Sequence, residues 1–244
     1  SLEEAIENID IGGPTLIRAA AKNAKFVTVL SDPADYEDYI RVLDEAKEDS
    51  DQIFLGFRTK MQAKAFRHTA YYDSLISNYL SQEAGDMGHT LTLAYDKVQD
   101  LRYGENPHQK AAFYQNALPL EDSLSQAEQL QGKELSYNNI MDTNAALEII
   151  KEFTEPTVVG LKHANPCGIG SAATIEEAWE LAYEADSVSI YGGIVACNRP
   201  INKAMAKSMK KVFLEVVLAP DVDEAAMEIL SKKKNMRLLL LPDL

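Results

Sequence analysis

The chain has 244 residues, 46% apolar and 25% charged, enough to bury one large core or two ordinary ones. Its formal net charge of −14 repels polyanions at long range, which disfavours non-specific association with nucleic acid or an anionic membrane; an anionic ligand must meet locally gathered cations. Apolar stretches such as residues 238–241 are far shorter than the ~20 residues that cross a bilayer, and no basic-then-apolar leader opens the chain, so a cytoplasmic protein is expected.

In chain order, a helix over residues 2–9 runs into Asp10-Ile11-Gly12-Gly13-Pro14, and a second follows over 15–22, with Pro14 near its first turn, where a missing N–H does no harm. A glycine turn before a helix offers backbone N–H groups and the positive dipole end to an anion. Arg18 and Lys22 lie one turn apart on that helix. Lys22 is a candidate proton donor if Asp10 tunes its charge, since an ordinary lysine titrates near ~10.4 and is a poor base at neutrality. The alternative is a tight turn followed by a solvated basic face. A strand is expected over 26–30, bounded by Ser31-Asp32-Pro33. Residues 35–83 read as helical: one helix through Tyr39, Val42, Leu43 and Ala46, and a longer one with Phe66, Ala70, Ile76 and Leu80 at near-helical spacing. Residues 85–88 break this region.

Short strands are expected over 91–95 and 111–114. Between them Leu101-Arg102-Tyr103-Gly104-Glu105-Asn106-Pro107-His108-Gln109 is dense in ligand-binding side chains: a guanidinium fork, a phenol, and a loop fixed by glycine and proline. A structural turn, with His108 and Asn106 satisfying local backbone groups, is the alternative. Beyond it, helices over 143–153, 175–185, 203–211 and 224–232 alternate with strands over 157–161, 194–197, 215–219 and 237–241, which argues for a mainly parallel α/β sheet. Thr174 and Glu177 form a capping-box signature.

The apolar run 157–161 ends on Lys162 and His163, then gives way to the turn-forming stretch Ala164-Asn165-Pro166-Cys167-Gly168-Ile169-Gly170. A buried strand ending on a cation and an imidazole is how open α/β sheets present catalytic groups; a solvent-facing pair is the alternative. Gly192 and Gly193 precede the next strand, where backbone can approach a planar ligand. Glu215 opens another, and by itself reads as solvent-facing. Lys232-Lys233-Lys234 reads as a solvated helix end. The four histidines make no metal pair; Pro166-Cys167 echoes a zinc-deaminase motif, but position 170 is glycine and no HxE accompanies it. Cys167 and Cys197 lack a CxxC partner, so no zinc and no disulfide framework is expected.

The segments IDIGGP with TLIRAAAKN, LRYGENPHQ, LKHANPCG and LSKKKN, in this order, closely resemble the AICAR transformylase/IMP cyclohydrolase family from end to end. The resemblance implies formyl transfer from the cosubstrate 10-formyltetrahydrofolate to the 5-amino group of AICAR, then closure of formyl-AICAR to IMP. It implies that residues 1–92 are the later part of a methylglyoxal-synthase-like cyclohydrolase domain and 93–244 the first part of a cytidine-deaminase-like, zinc-free transformylase domain. Carried over by motif, Asp10 and Ile11 contact the cyclohydrolase nucleotide and Lys22 transfers a proton. Arg102, Tyr103, Gly192 and Glu215 bind AICAR, His163 is the proton acceptor, and Lys162 stabilises the transition state. The family's further N-terminal and C-terminal stretches are not matched, so a piece carrying part of each active site is expected, from a homodimeric parent. A non-catalytic nucleotide-binding or subunit-association module is the competing reading.

Overall fold

Ser1 caps the first helix, α1 (Leu2–Glu7): its hydroxyl accepts from the Glu4 N–H at 3.2 Å while the Glu4 carboxylate meets the terminal ammonium. The computed structural model describes residues 1–45 and 50–244; Ala46, expected on a helix, lies outside them. The chain divides into two units, Ser1–Tyr95 and Asp96–Leu244.

The first unit is helical. After α1 come α2 (Gly12–Lys22), α3 (Tyr36–Glu45) and the long α4 (Ser50–Ala84). Ala21 of α2 and Ala65 of α4 are fully buried; their small side chains bring the two helices together over Val29, with Ile17, Ala20 and Phe66 packed around. Gln62 on α4 donates to the Ala21 carbonyl at 2.8 Å. The strand expected over 26–30 is absent: among the described residues no strand precedes Tyr95, so its backbone has no ladder to join. Arg58 serves it instead, donating to Thr28 Oγ1 at 3.1 Å and to the Lys25 carbonyl at 2.9 Å.

The second unit is a mixed sheet between helices. A two-stranded piece, β1 (Tyr95–Leu101) with β2 (Ala111–Asn116), precedes it; the strand expected over 91–95 begins only at Tyr95. Next come β3 (Glu128–Gln131), α5 (Tyr137–Ile150), β4 (Thr157–Lys162), β5 (Asn165–Ser171), α6 (Ile175–Ala185), β6 (Gly193–Cys197), α7 (Lys203–Met209), β7 (Leu214–Ala219), α8 (Glu224–Leu230) and β8 (Arg237–Leu240). The strand order is β3-β8-β7-β6-β4-β5. Only β6–β7 and β7–β8 are parallel; β3–β8, β4–β6 and β4–β5 are antiparallel, which corrects the expectation of a mainly parallel sheet.

Alternation along the strands builds two cores. Val158, Val195, Cys197, Val217 and Leu238 face α6, α7 and α8, whose Trp179, Ala182, Met205, Met209 and Leu230 are buried against them. Val159, Leu161, Ile194, Ala196, Val216, Leu218 and Leu239 face α5, through Ala146, Leu147 and Ile150. Strands covered on both faces read as continuous apolar runs, which is why these four were legible. The β5 segment, expected as a loop, is a strand whose glycines admit a helix: a Cβ on Gly168 would stand 2.0 Å from the Ala182 carbonyl oxygen, and one on Gly170 2.2 Å from that of Ala178. Gln131 Nε2 on β3 lies within 3.2–3.4 Å of the carbonyl oxygens of Leu230, Lys233 and Met236, which ties the segment that follows α8 to this strand.

Candidate active site

Because β4 runs antiparallel to β6, its C-terminal end lies beside the N-terminal ends of β6 and β7. Leu161 pairs with Ile194, Gly193 with Leu214, and Val216 with Arg237, so Lys162, Gly192, Glu215 and Arg237 share one end of the sheet. This is the amino end of the parallel strands, opposite to the carboxyl end at which open parallel sheets present ligand sites. Strands ~4.8 Å apart put the backbones of β4 and β7, two steps away, roughly 10 Å from each other.

Lys162 is half-buried and donates from Nζ to the Tyr191 carbonyl at 2.7 Å. Gly192, next in the chain, has φ +71, a conformation that side chains resist; its N–H donates to the Phe213 carbonyl at 2.8 Å, and a Cβ there would meet the Phe213 ring at 3.6 Å and Lys162 Nζ at 4.0 Å. Tyr191 and Phe213 rings lie 5.5 Å apart and wall this corner.

The β4–β5 connection is a two-residue turn, His163 (φ 54) and Ala164 (φ 58), both left-handed and neither glycine. Each costs about 1–2 kcal/mol relative to ordinary backbone, so the surroundings must hold the turn. Two side chains do. The Asp142 carboxylate on α5 accepts the Ala164 N–H at 2.9 Å, and Asn165 Nδ2 donates to the His163 carbonyl at 2.8 Å. His163 itself is exposed.

Glu215 faces protein as well as solvent, unlike its isolated reading. The register between β6 and β7 slips so that Gly193 pairs with Leu214 and Ile194 with Val216, leaving Glu215 as the extra residue of a bulge. Bulges re-aim side chains, and here Glu215 Oε2 accepts from Asn139 Nδ2 at 3.0 Å. Asn139, 4% exposed, also accepts through Oδ1 from the backbone N–H and hydroxyl of Ser136, closing the N-terminal box of α5.

Ser136 also lines a cleft of about 440 Å³ bounded by Asp100, Arg102, Tyr103, Lys133, Glu134, Leu135 and Arg237. Arg102 lies over the Tyr103 ring at 5.8 Å. The loop after it is closed by Gln109, whose Oε1 accepts the Asn106 N–H at 2.7 Å and whose carbonyl accepts that of Gly104 at 2.9 Å; neither His108 nor Asn106 supplies the side-chain bond. Arg237 donates to the Lys133 and Glu134 carbonyls. Arg237, Lys133, Asn139 and Asp142 escaped sequence reasoning; none belongs to a motif, and only the fold brings them to the site. The Lys232–Lys234 run is more than a solvated end: with Phe213 it lines a cleft of about 330 Å³, and Lys233 donates to the Val212 carbonyl at 3.4 Å.

In the first unit, Asp10 and Lys22 lie at opposite ends of α2. Ten helical steps of ~1.5 Å separate Gly12 from Lys22 by roughly 15 Å, too far for Asp10 to tune the lysine. The Asp10 carboxylate instead accepts the Gly13 N–H at 3.0 Å, and its own N–H donates to Tyr72 Oη at 2.9 Å. A Cβ on Gly13 would stand 2.4 Å from Asp10 Oδ2, so a larger residue there would displace the Asp10 carboxylate from its present position. Ile11 is 72% exposed, and the Arg18 guanidinium lies over the Phe66 ring at 5.4 Å.

Both cysteines behave as core. Burial pushes the Cys197 thiol up to about 12 and raises that of Cys167, so neither offers a ready thiolate. Among the described residues no helix is long and apolar enough to cross a membrane, and no three His, Cys, Asp or Glu side chains gather as a metal set.

The sequence matches the profile of the AICARFT/IMPCHase bienzyme over residues 20–244. The chain belongs to that family. Proteins named bifunctional purine biosynthesis protein PurH from Bacillus cereus strain B4264, Bacillus mycoides strain KBAB4 and Bacillus thuringiensis strain Al Hakam are each 57% identical to it over 237 residues. That alignment takes in 97% of this chain and 46% of each relative, so the chain spans just under half the length of these bienzymes.

Proposed function

We propose that this chain serves purine biosynthesis as part of a two-activity enzyme. Its second unit supplies the nucleotide half of an AICAR formyl-transfer site, and its first unit part of an IMP cyclohydrolase site. The observation that supports this most directly is the gathering of Lys162, His163, Gly192 and Glu215 at one end of the sheet in a chain of this family.

The chemistry follows from the groups present. The 5-amino group of AICAR is a weak nucleophile whose proton must leave as nitrogen attacks the formyl carbon of 10-formyltetrahydrofolate; an imidazole, titrating ordinarily near ~6.5, suits that transfer, which gives His163 the role of general base. Attack places negative charge on the formyl oxygen. The Lys162 ammonium, oriented by the Tyr191 carbonyl, stabilises it, and collapse releases tetrahydrofolate and formyl-AICAR. Glu215 keeps Oε1 for ribose hydroxyls, Gly192 admits the ligand close to the backbone, and Arg102 with Tyr103 holds the nucleotide in the cleft they share with Lys133 and Arg237. In the first unit, Asp10 and Ile11 hold the formyl-AICAR/IMP nucleotide and Lys22 moves a proton during ring closure. The finer folds that accompany this reading are methylglyoxal-synthase-like for residues 1–92 and cytidine-deaminase-like, without zinc, for 93–244, in a cytoplasmic homodimer.

The test is made in a full-length protein carrying this segment. His163→Ala and Lys162→Ala each lower formyl transfer by about 10³-fold or more while cyclisation of formyl-AICAR continues. Formyl transfer retained by both variants overturns the assignment.

A further inference from the structure

We infer that α5 sets the geometry of the formyl-transfer site, with Asn139 and Asp142 as positioning residues that aim Glu215 and His163 respectively. The inference rests on the functional reading above and adds two residues that touch neither substrate nor reacting atoms.

Asn139 and Asp142 are three apart on one helix and so share a face. Through them α5 reaches two places far apart in sequence: Glu215, 76 residues on, and Ala164, 22 residues on. A residue needed only to cap α5 would use only its acceptor. Asn139 uses Oδ1 for Ser136 and commits Nδ2 to Glu215, so both halves of the amide are used. A glutamate, common at this capping position, would set a second carboxylate against Glu215. Asparagine resolves that conflict by supplying an acceptor to the cap and a donor to the carboxylate.

Asp142 answers a different need. In a two-residue hairpin turn the N–H groups of the turn residues find no ladder partner, and here both residues are in the left-handed region without being glycine. The Asp142 carboxylate takes the Ala164 N–H in a charge-assisted bond, immediately after the residue whose imidazole must meet the amine. The helix can hold both positions because Ala146, Leu147 and Ile150 are fully buried beneath it, so it cannot shift without opening the core.

Steady-state kinetics in the full-length protein carrying this segment test the inference, with cyclisation as the internal control for enzyme amount and thermal unfolding as the control for folding of the second unit. Asp142→Ala is expected to lower kcat for formyl transfer about tenfold or more, with KM for AICAR within about twofold, and Asp142→Asn to recover most of kcat because it keeps the acceptor. Asn139→Asp preserves the cap but turns an anion toward Glu215; it is expected to raise KM for AICAR about tenfold with kcat within about threefold. A role confined to helix stability predicts no such split. If Asp142→Ala fails to fold, Asp142→Glu keeps the charge and displaces the acceptor by one methylene, and the same fall in kcat is expected. Unchanged formyl-transfer kinetics in Asn139→Asp and in Asp142→Ala or Asp142→Glu, or Asp142→Asn as damaged as Asp142→Ala, overturn the inference. Absence of formyl transfer in the unsubstituted protein overturns instead the functional reading on which it stands.

Discussion

The two units place their candidate residues in opposite ways. In the first, Asp10 and Ile11 stand just before α2 and Lys22 is its last residue, so the helix keeps them apart by its own length. In the second, residues from five separate segments meet at one end of a sheet, because strand pairing and a hairpin turn fold distant sequence back onto itself. The cores differ in step: Ala21, Val29 and Ala65 form a small buried cluster among the described residues of the first unit, whereas both faces of the second unit's sheet are buried under helices. A helix arrays functional groups; a covered sheet gathers them, and the gathering depends on packing behind it.

The largest expected effect tests that dependence. Gly170→Ala would drive a Cβ to 2.2 Å from the Ala178 carbonyl oxygen and 2.6 Å from the Ala182 nitrogen, backbone atoms that cannot swing aside. Overpacking of this severity is expected to cost the second unit about 3 kcal/mol or more. The chain's one tryptophan, Trp179, is fully buried on the same helix, so its fluorescence in urea reports the second unit alone. An unchanged midpoint would mean that α6 does not lean on β5 as described.

A smaller effect sharpens the site itself. Gly192→Ala has room, since its nearest contacts are the Phe213 ring at 3.6 Å and Lys162 Nζ at 4.0 Å, but φ +71 opposes it. A loss of about 1 kcal/mol in stability is expected from the same urea titration, without the collapse expected of Gly170→Ala. Equal damage from the two would contradict the contrast between steric and conformational cost.

Legibility in the sequence followed the same division. The β4, β6, β7 and β8 runs announced themselves because both faces are buried, and α6 through Thr174, whose hydroxyl accepts the Glu177 N–H at 3.4 Å. The β5 strand did not: Asn165-Pro166-Cys167-Gly168 has turn composition, yet its glycines make room for α6, while the true turn is built on His163 and Ala164, which carry no turn signal. Conversely, Val27-Thr28-Val29-Leu30 has strand composition and no ladder. Lys162 and His163 could be singled out because they end an apolar run. Asn139 and Asp142 could not, since their roles exist only across contacts that span 76 and 22 residues, and the Glu215 bulge is a matter of register that no local pattern records.

Thr143, beside Asp142 on α5, is fully buried, and its hydroxyl has no hydrogen-bond partner among the described residues. Thr143→Val replaces that hydroxyl by a methyl of similar shape and removes the desolvation cost, so the second unit is expected to gain up to about 1 kcal/mol. A loss by Trp179 fluorescence would show that the hydroxyl has a partner after all.

The smallest effect belongs to the first unit, where an ion pair outside the helix core ties α4 to the segment before α3. Lys64 Nζ lies 2.7 Å from Asp32 Oδ2 and 2.6 Å from Asp35 Oδ2. The Lys64 hydrogen bond holds the Asp32 carboxyl below its ordinary 3.8, and the bonds to Asp32 and Asp35 lift the Lys64 ammonium above its ordinary 10.5. For a lowered carboxyl, the stabilisation is complete above 3.8 and is lost as pH falls through the depressed value; for a raised ammonium, it is complete below 10.5 and lost as pH climbs through the raised one. Lys64→Met removes both. The gap in protection between the two proteins, read by amide hydrogen exchange over residues 54–84, is therefore expected to be constant between those two values and to close in acid, while exchange in the second unit stays the same. Solvent screening keeps the gap small. A gap that persisted below the lowered Asp32 titration would mean that Lys64 acts through its methylene stem and not through its charge.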